Sequence, residues 1–134
     1  MGTVLEPGEA ADKPCVFEAI APGLAMLYPA AYERGAVAED ALPGVHAWRE
    51  EIECRPIDRR HLPVHGRHLV VLSDVDRRHL HPELVGWTLT GPRDSIRERL
   101  RELDQAGVHE LVYSPMGSDV ARELRAMAQA AGRA

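Results

Sequence analysis

The stretch that most constrains this chain is its last third, where strand, helix, strand and helix follow one another with short connections. Trp87-Thr88-Leu89-Thr90 is a β-prone run of aromatic and β-branched residues. Gly91 and Pro92 follow, and Pro92 suits the first helical position, where a missing N–H is harmless. Asp94 then falls near the positive end of a helix dipole. Ile96, Leu100 and Leu103 recur at helical spacing, with Asp94–Arg97 and Glu98–Arg101 as opposite charges three apart. Gly107 supplies a left-handed cap. His109 to Ser114 reads as the next strand, around Leu111-Val112-Tyr113, and Pro115 and Gly117 break it. Ser118 or Asp119 caps a second helix, expected to bury Val120, Leu124, Met127 and Ala131 and to stop at Gly132. A right-handed crossover of this kind makes the strands parallel, and parallel strands want covering helices. The expected fold class is therefore α/β.

The earlier part is less regular. Thr3-Val4-Leu5 is a strand end, closed by Glu6-Pro7-Gly8-Glu9. Pro14 to Arg34 reads as two short helices or one kinked helix, because Pro22-Gly23 and Pro29 interrupt it. Val45 to Cys54 forms a further helix with Trp48 and Ile52 on one face, ended by Arg55-Pro56. Asp58 to Leu84 is dense in His, Arg and Asp and holds the apolar run Leu69-Val70-Val71-Leu72; periodicity leaves it helical or extended.

Composition narrows the function classes. With 134 residues, 45% apolar and 28% charged, the chain has the make-up of one ordinary soluble domain. A net charge of -5 without a long basic run argues against nucleic acid as a partner. Cys15 and Cys54 lack CxxC spacing, which argues against a zinc knuckle or a thioredoxin motif. Two free thiols is the plain reading, with a Cys15–Cys54 disulfide left open. The N-terminus shows no signal-peptide core, and no apolar run approaches the roughly 20 residues that span a bilayer. The expectation is a cytoplasmic protein without a membrane partner.

Several motifs together carry a family resemblance. Leu89-Thr90-Gly91-Pro92-Arg93-Asp94, then Leu100, Leu103, Ala106-Gly107-Val108 and Glu110-Leu111-Val112-Tyr113, resemble the end of the luciferase-like monooxygenases. Pro115-Met116-Gly117-Ser118-Asp119 with Arg122-Glu123-Leu124 is similar to that family's closing turn and helix. His61-Leu62, His65 and His68-Leu69 resemble a His-rich segment of one branch, and Thr3-Val4-Leu5-Glu6-Pro7-Gly8-Glu9 a stretch preceding it. Where the family runs His-Glu-Gly-His, this chain has His65-Gly66-Arg67-His68, so the acid is replaced. The resemblance spans nearly the whole chain, and the order of its motifs gives it weight.

The resemblance implies a (β/α)8, TIM-type barrel that binds FMN or the deazaflavin F420 at the C-terminal ends of its strands. The reduced cofactor would activate oxygen or move hydride on a small organic substrate. Such a barrel takes about 250 residues. This chain would supply one partial domain over 1–134: about three parallel strands, roughly Thr3–Leu5, Trp87–Thr90 and Glu110–Ser114, with covering helices. The expected function is the terminal part of a flavin- or F420-dependent oxidoreductase, not catalytic as an isolated chain. The alternative is a non-catalytic remnant or split-gene subunit that needs a partner. Open sheet edges predict self-association or a complementary chain.

Three groups are candidate site residues. His61, His65 and His68 are spaced four and three apart, which on a helix shares one face. Three imidazoles could hold zinc, but no HExxH-type carboxylate accompanies them, and the resemblance implies a cofactor-facing role and no metal. Gly91 and the Met116-Gly117-Ser118 turn sit where helix N-termini can hold a phosphate, or serve only as capping turns. Asp74 and Asp76 could line a cleft, or belong to a solvated face with Arg77 and Arg78. No Ser/His/Asp or Cys/His order supplies a nucleophile.

Overall fold

The computed structural model describes residues 1–35, 41–65 and 71–132. The fold is mixed helix and sheet, with a parallel strand pair, and so α/β in class. The chain divides into two compact units, Met1–Ile20 with Val85–Ala134, and Ala21–Leu84.

In the first unit, β1 (Val4–Leu5) pairs in parallel with β2 (Gly91–Pro92), Val4 opposite Gly91 and Leu5 opposite Pro92. The N–H groups of Leu89 and Gly91 donate to the carbonyls of Met1 and Thr3, at 2.9 and 3.2 Å. On its other side Gly2 bridges Pro115 in parallel: Gly2 N–H donates to Ser114 O at 3.2 Å and Met116 N–H to Gly2 O at 3.0 Å. The segment Met1–Leu5 therefore lies between the other two. Consecutive barrel strands would instead put the 87–92 segment in the middle.

Two helices complete this unit. α6 (Arg93–Gln105) follows β2 directly and α7 (Val120–Ala130) follows the 114–116 segment; they pack on each other and on β1. Their shared core is Val4, Ile96, Ala126, Met127 and Ala130, with Leu89, Leu100 and Tyr113 against it. The expected ion pairs form on α6, Arg97–Asp94 at 2.9 Å and Arg101–Glu98 at 3.3 Å, joined by Arg99–Glu102 at 3.1 Å. Gly107 follows α6 with φ 87°.

Several expected boundaries shift. Pro92 precedes α6 instead of opening it. Trp87-Thr88 does not reach the ladder: Trp87 ends a 3₁₀ turn (Pro82–Trp87) and Thr88 Oγ1 donates to Val85 O at 2.7 Å, a local bond that outcompetes β-propensity. In the Glu110–Ser114 segment the observed pairing with Gly2 starts at Ser114, and Val112 is 84% exposed. On α7 the buried face is Glu123, Ala126, Met127 and Ala130, so Val120, Leu124 and Ala131 point outward. The helix is turned by about one residue because Glu123 is drawn inward by polar partners on Thr3 and Val4.

The second unit is helical. Pro14 to Arg34 resolves into two helices, α1 (Pro14–Leu24), whose residues up to Ile20 belong to the first unit, and α2 (Leu27–Arg34). The run Pro14–Arg34 is 21 residues long with mean hydropathy 1.3, so, contrary to expectation, one segment is long and apolar enough to cross a bilayer by length and composition. Half of that window is buried, with Ile20, Leu24 and Tyr28 at 0% exposure, as in a core helix.

α3 (Val45–Glu53) buries Val45, Trp48 and Ile52 as its spacing requires. The segment that periodicity left open forms a 3₁₀ turn (Ile57–Arg59) and two short helices, α4 (His61–His65) and α5 (Asp74–His79); residues 66–70, including Leu69 and Val70, lie outside the described residues. Trp48 sits at the centre, its ring 5.8 Å from Tyr28 and 6.0 Å from Tyr32, and its Nε1–H donates to Asp76 Oδ1 at 2.8 Å. Asp76 is buried rather than lining a cleft or facing water. Its N–H donates to Ser73 Oγ at 3.1 Å and its carboxylate accepts the Ser73 N–H at 3.3 Å, a capping box opening α5. Gly44 enters α3 with φ 81°, and a Cβ there would clash with His79 O and lie 2.7 Å from Tyr28 Oη, so only glycine fits.

Candidate functional site

In the first unit the C-terminal ends of the parallel segments open on two hollows. One, of about 420 Å³, is bounded by Val4–Glu9, by Pro92–Asp94 at the start of α6, and by Ala126. The other, of about 220 Å³, is bounded by Thr3, Leu5, Glu9, Cys15, the Gly117–Asp119 turn, Arg122 and Glu123. The carboxyl ends of parallel strands are where open α/β sheets place their ligands.

Glu123 organises the second hollow. It is 1% exposed, and its carboxylate ties α7 to the β1 segment. Oε1 accepts from Thr3 Oγ1 at 2.7 Å and Oε2 from the Val4 N–H at 3.0 Å, with Tyr113 Oη 3.4 Å from Oε2. Arg122 Nη1 bonds Glu123 Oε1 at 2.5 Å, while its Nη2 donates to Val4 O at 2.9 Å. Gly117 must be glycine for the same reason: a Cβ would collide with the Glu123 carboxylate.

The charges here are largely satisfied. Arg122 also meets Glu6 Oε1 at 3.0 Å and lies 3.7 Å from Glu9 Oε2. Burial works to lower its pKa, but the hydrogen bond to Glu6 and the fields of Glu123, Glu6 and Glu9 outweigh it and raise it. The Tyr113 hydroxyl, which donates to Gly2 O at 2.9 Å, is pushed well above the usual phenol range by burial first and by the Glu123 charge second. A carboxylate held by this many donors positions the groups around it.

The sequence-predicted residues are placed as follows. Gly91 lies buried in β2, and its turn leads into α6, whose N-terminus has no side-chain cap. Arg93 lines the adjoining hollow beside three acids: Glu6 meets Arg122, Asp94 meets Arg97, and Glu9 accepts the Glu6 N–H. Gly117 and Ser118 come together on the second hollow. There Asp119, not Ser118, caps α7, accepting the Arg122 N–H at 2.9 Å, and an entering phosphate would face Glu9, Asp119 and Glu123 beside Arg122.

His61 and His65 are exposed on α4, a helix of only 5 residues, and His65 Nε2 lies 3.5 Å from Glu33 Oε1. His68 lies outside the described residues. Among the described residues there is no group of three or more His, Cys, Asp or Glu side chains arranged to hold a metal ion. Cys15 and Cys54 are free and exposed.

Sequence reasoning missed Glu123, Arg122, Thr3 and Tyr113. The available signal was Glu123 itself, which shares a helical face with Ala126, Met127 and Ala130 at spacings of three, four and seven. A lone acid on an apolar face carries a large burial penalty unless partners await it. Compared with family models, curated proteins and solved structures, the chain matches none.

Proposed function

We propose that this chain is the terminal part of a luciferase-like, flavin- or F420-dependent oxidoreductase. In this reading residues 1–134 form one partial domain, the last βα units of a (β/α)8 barrel, without catalysis of their own. The supporting observation is the opening of the uncapped α6 N-terminus, beside Arg93, onto the 420 Å³ hollow at the carboxyl ends of β1 and β2. That is where a barrel of this class would receive the phosphate of FMN or F420. The residues fit that end of the cofactor; the ring system and the organic substrate would need walls from the missing strands.

The barrel reading requires one rearrangement. The 110–116 segment, paired here with Gly2, would move to the edge of β2 away from β1, unpaired among the described residues, and the strands before β1 would take its place. The observed pairings are parallel, and a barrel of this class keeps that ladder type.

Exposed Leu111 and Val112, at 43% and 84%, favour a second form of the same reading, a split-gene subunit or remnant that completes itself on a partner chain. The test is complementation. Co-expression with a chain carrying the first strands of a luciferase-like barrel should yield a complex that retains FMN or F420. Failure of any such chain to associate, or association without cofactor retention, would remove the proposal.

A further inference from the structure

We propose that residues 55–65, in the second unit, form a peripheral contact surface for an anionic lipid interface. The turn Ile57–Arg59 and α4 hold two large aliphatic side chains in solvent, Ile57 at 81% and Leu62 at 60% exposure. Arg55, Arg59 and Arg60 flank them, against Asp58 as the acid within the stretch. The Arg60 guanidinium donates to backbone carbonyls, Glu53 O at 2.8 Å and Arg55 O at 3.1 Å, so these bonds leave its charge uncancelled. Arg55 reaches Glu51 only at 4.0 Å, and that carboxylate is already held by Arg78 and His79. Within 55–65 three arginines thus stand against one aspartate, on a chain whose net charge is -5.

The pairing of exposed aliphatic groups with weakly countered arginines selects the partner. Nucleic acid would satisfy the arginines and leave Ile57 and Leu62 in water. A protein partner would need a shaped recess for each of them. The boundary between lipid headgroups and acyl chains takes aliphatic side chains without shape matching, and anionic headgroups supply the countercharge. Such contact lies on the surface and needs no spanning segment. It does not rest on the oxidoreductase reading.

The test is flotation of the full chain with vesicles of phosphatidylcholine alone and of phosphatidylcholine with phosphatidylserine. Binding should require phosphatidylserine and weaken as salt rises. Arg55→Gln and Arg59→Gln should each lower partitioning roughly fivefold, since an arginine near an anionic surface contributes about 1 kcal/mol. Ile57→Ser and Leu62→Ser should also lower it, with circular dichroism unchanged because these side chains are exposed. Absence of binding, equal binding to both vesicle types, or binding indifferent to all four substitutions would overturn the proposal. So would capture by soluble polyglutamate without capture by vesicles, which would assign an acidic protein partner instead.

Discussion

Glu123 accepts the backbone N–H of Val4 at 3.0 Å, taking the place of a strand neighbour. Gly2 is paired by Ser114 and Met116, but the chain turns away at Gly117, and two residues along β1 the Arg122–Glu123 side chains take over both backbone groups of Val4. Removing the carboxylate would strand a buried N–H and a threonine hydroxyl and take one partner from Arg122. Glu123→Ala should therefore destabilise the first unit by about 3–5 kcal/mol, the usual result of breaking a buried pair. Glu123→Gln, which keeps the shape, should lose about 1–3 kcal/mol. Urea denaturation of both variants checks the order.

Two glycines should resist the smallest possible substitution. Gly117→Ala forces a methyl into the Glu123 carboxylate, and Gly44→Ala forces one into His79 O at a left-handed φ of 81°. Each should lose about 1–3 kcal/mol from overpacking, with Gly44→Ala the larger because backbone strain adds to it. Wild-type stability in the Gly44→Ala protein would mean that the entry to α3 is built differently.

Acid should act through Glu51. Hydrogen bonds from Arg78 and then His79 hold its carboxyl down to about 2. Between the ordinary carboxylate range and that value, the unfolded chain binds a proton that the folded chain refuses, so stability rises with pH across this window. The contribution is complete above the ordinary range and lost as pH falls through about 2. Because the pair faces solvent, the effect should be small and weakened by salt. Carbon-detected NMR titration should show the Glu51 carboxyl titrating well below the other exposed glutamates; a midpoint among theirs would contradict the pairing. At the alkaline end the sign reverses. Tyr113 ionises with difficulty when folded, so its contribution persists below the ordinary phenol range and is lost as pH rises above it.

Much of this was legible in the sequence. Helical spacing placed Ile96 inward on α6 and Trp48 and Ile52 inward on α3, and the glycine after α6 marked its end. Asp119 was one of two candidate caps. The failures share a cause. Trp87-Thr88 carries strand propensity, but a hydroxyl bond within its own turn decides its conformation. The inward turn of Glu123 and the burial of Asp76 depend on partners 120 and 28 residues away respectively, which no local pattern displays. The same holds for the central place of Met1–Leu5, since strand order is set by contacts remote in sequence.

The uncovered apolar groups should drive association. Val112, Val120 and Leu124 are at least half exposed in the first unit, beside an extended segment whose described pairing is confined to its end. Light scattering should find oligomers that grow with concentration, and Val112→Lys should reduce them. A monomer at all concentrations with a sharp thermal transition would contradict this.

Amide hydrogen exchange, read residue by residue, tests the arrangement of the parallel segments most directly. The N–H groups of Gly2, Val4, Leu89, Gly91 and Met116 should be protected together, since each donates to a partner across Met1–Leu5 or to Glu123. Leu111 and Val112 should exchange rapidly. Protection of Leu111 and Val112 with rapid exchange at Gly2 and Met116 would place the third segment elsewhere and contradict the central position of the N-terminal strand.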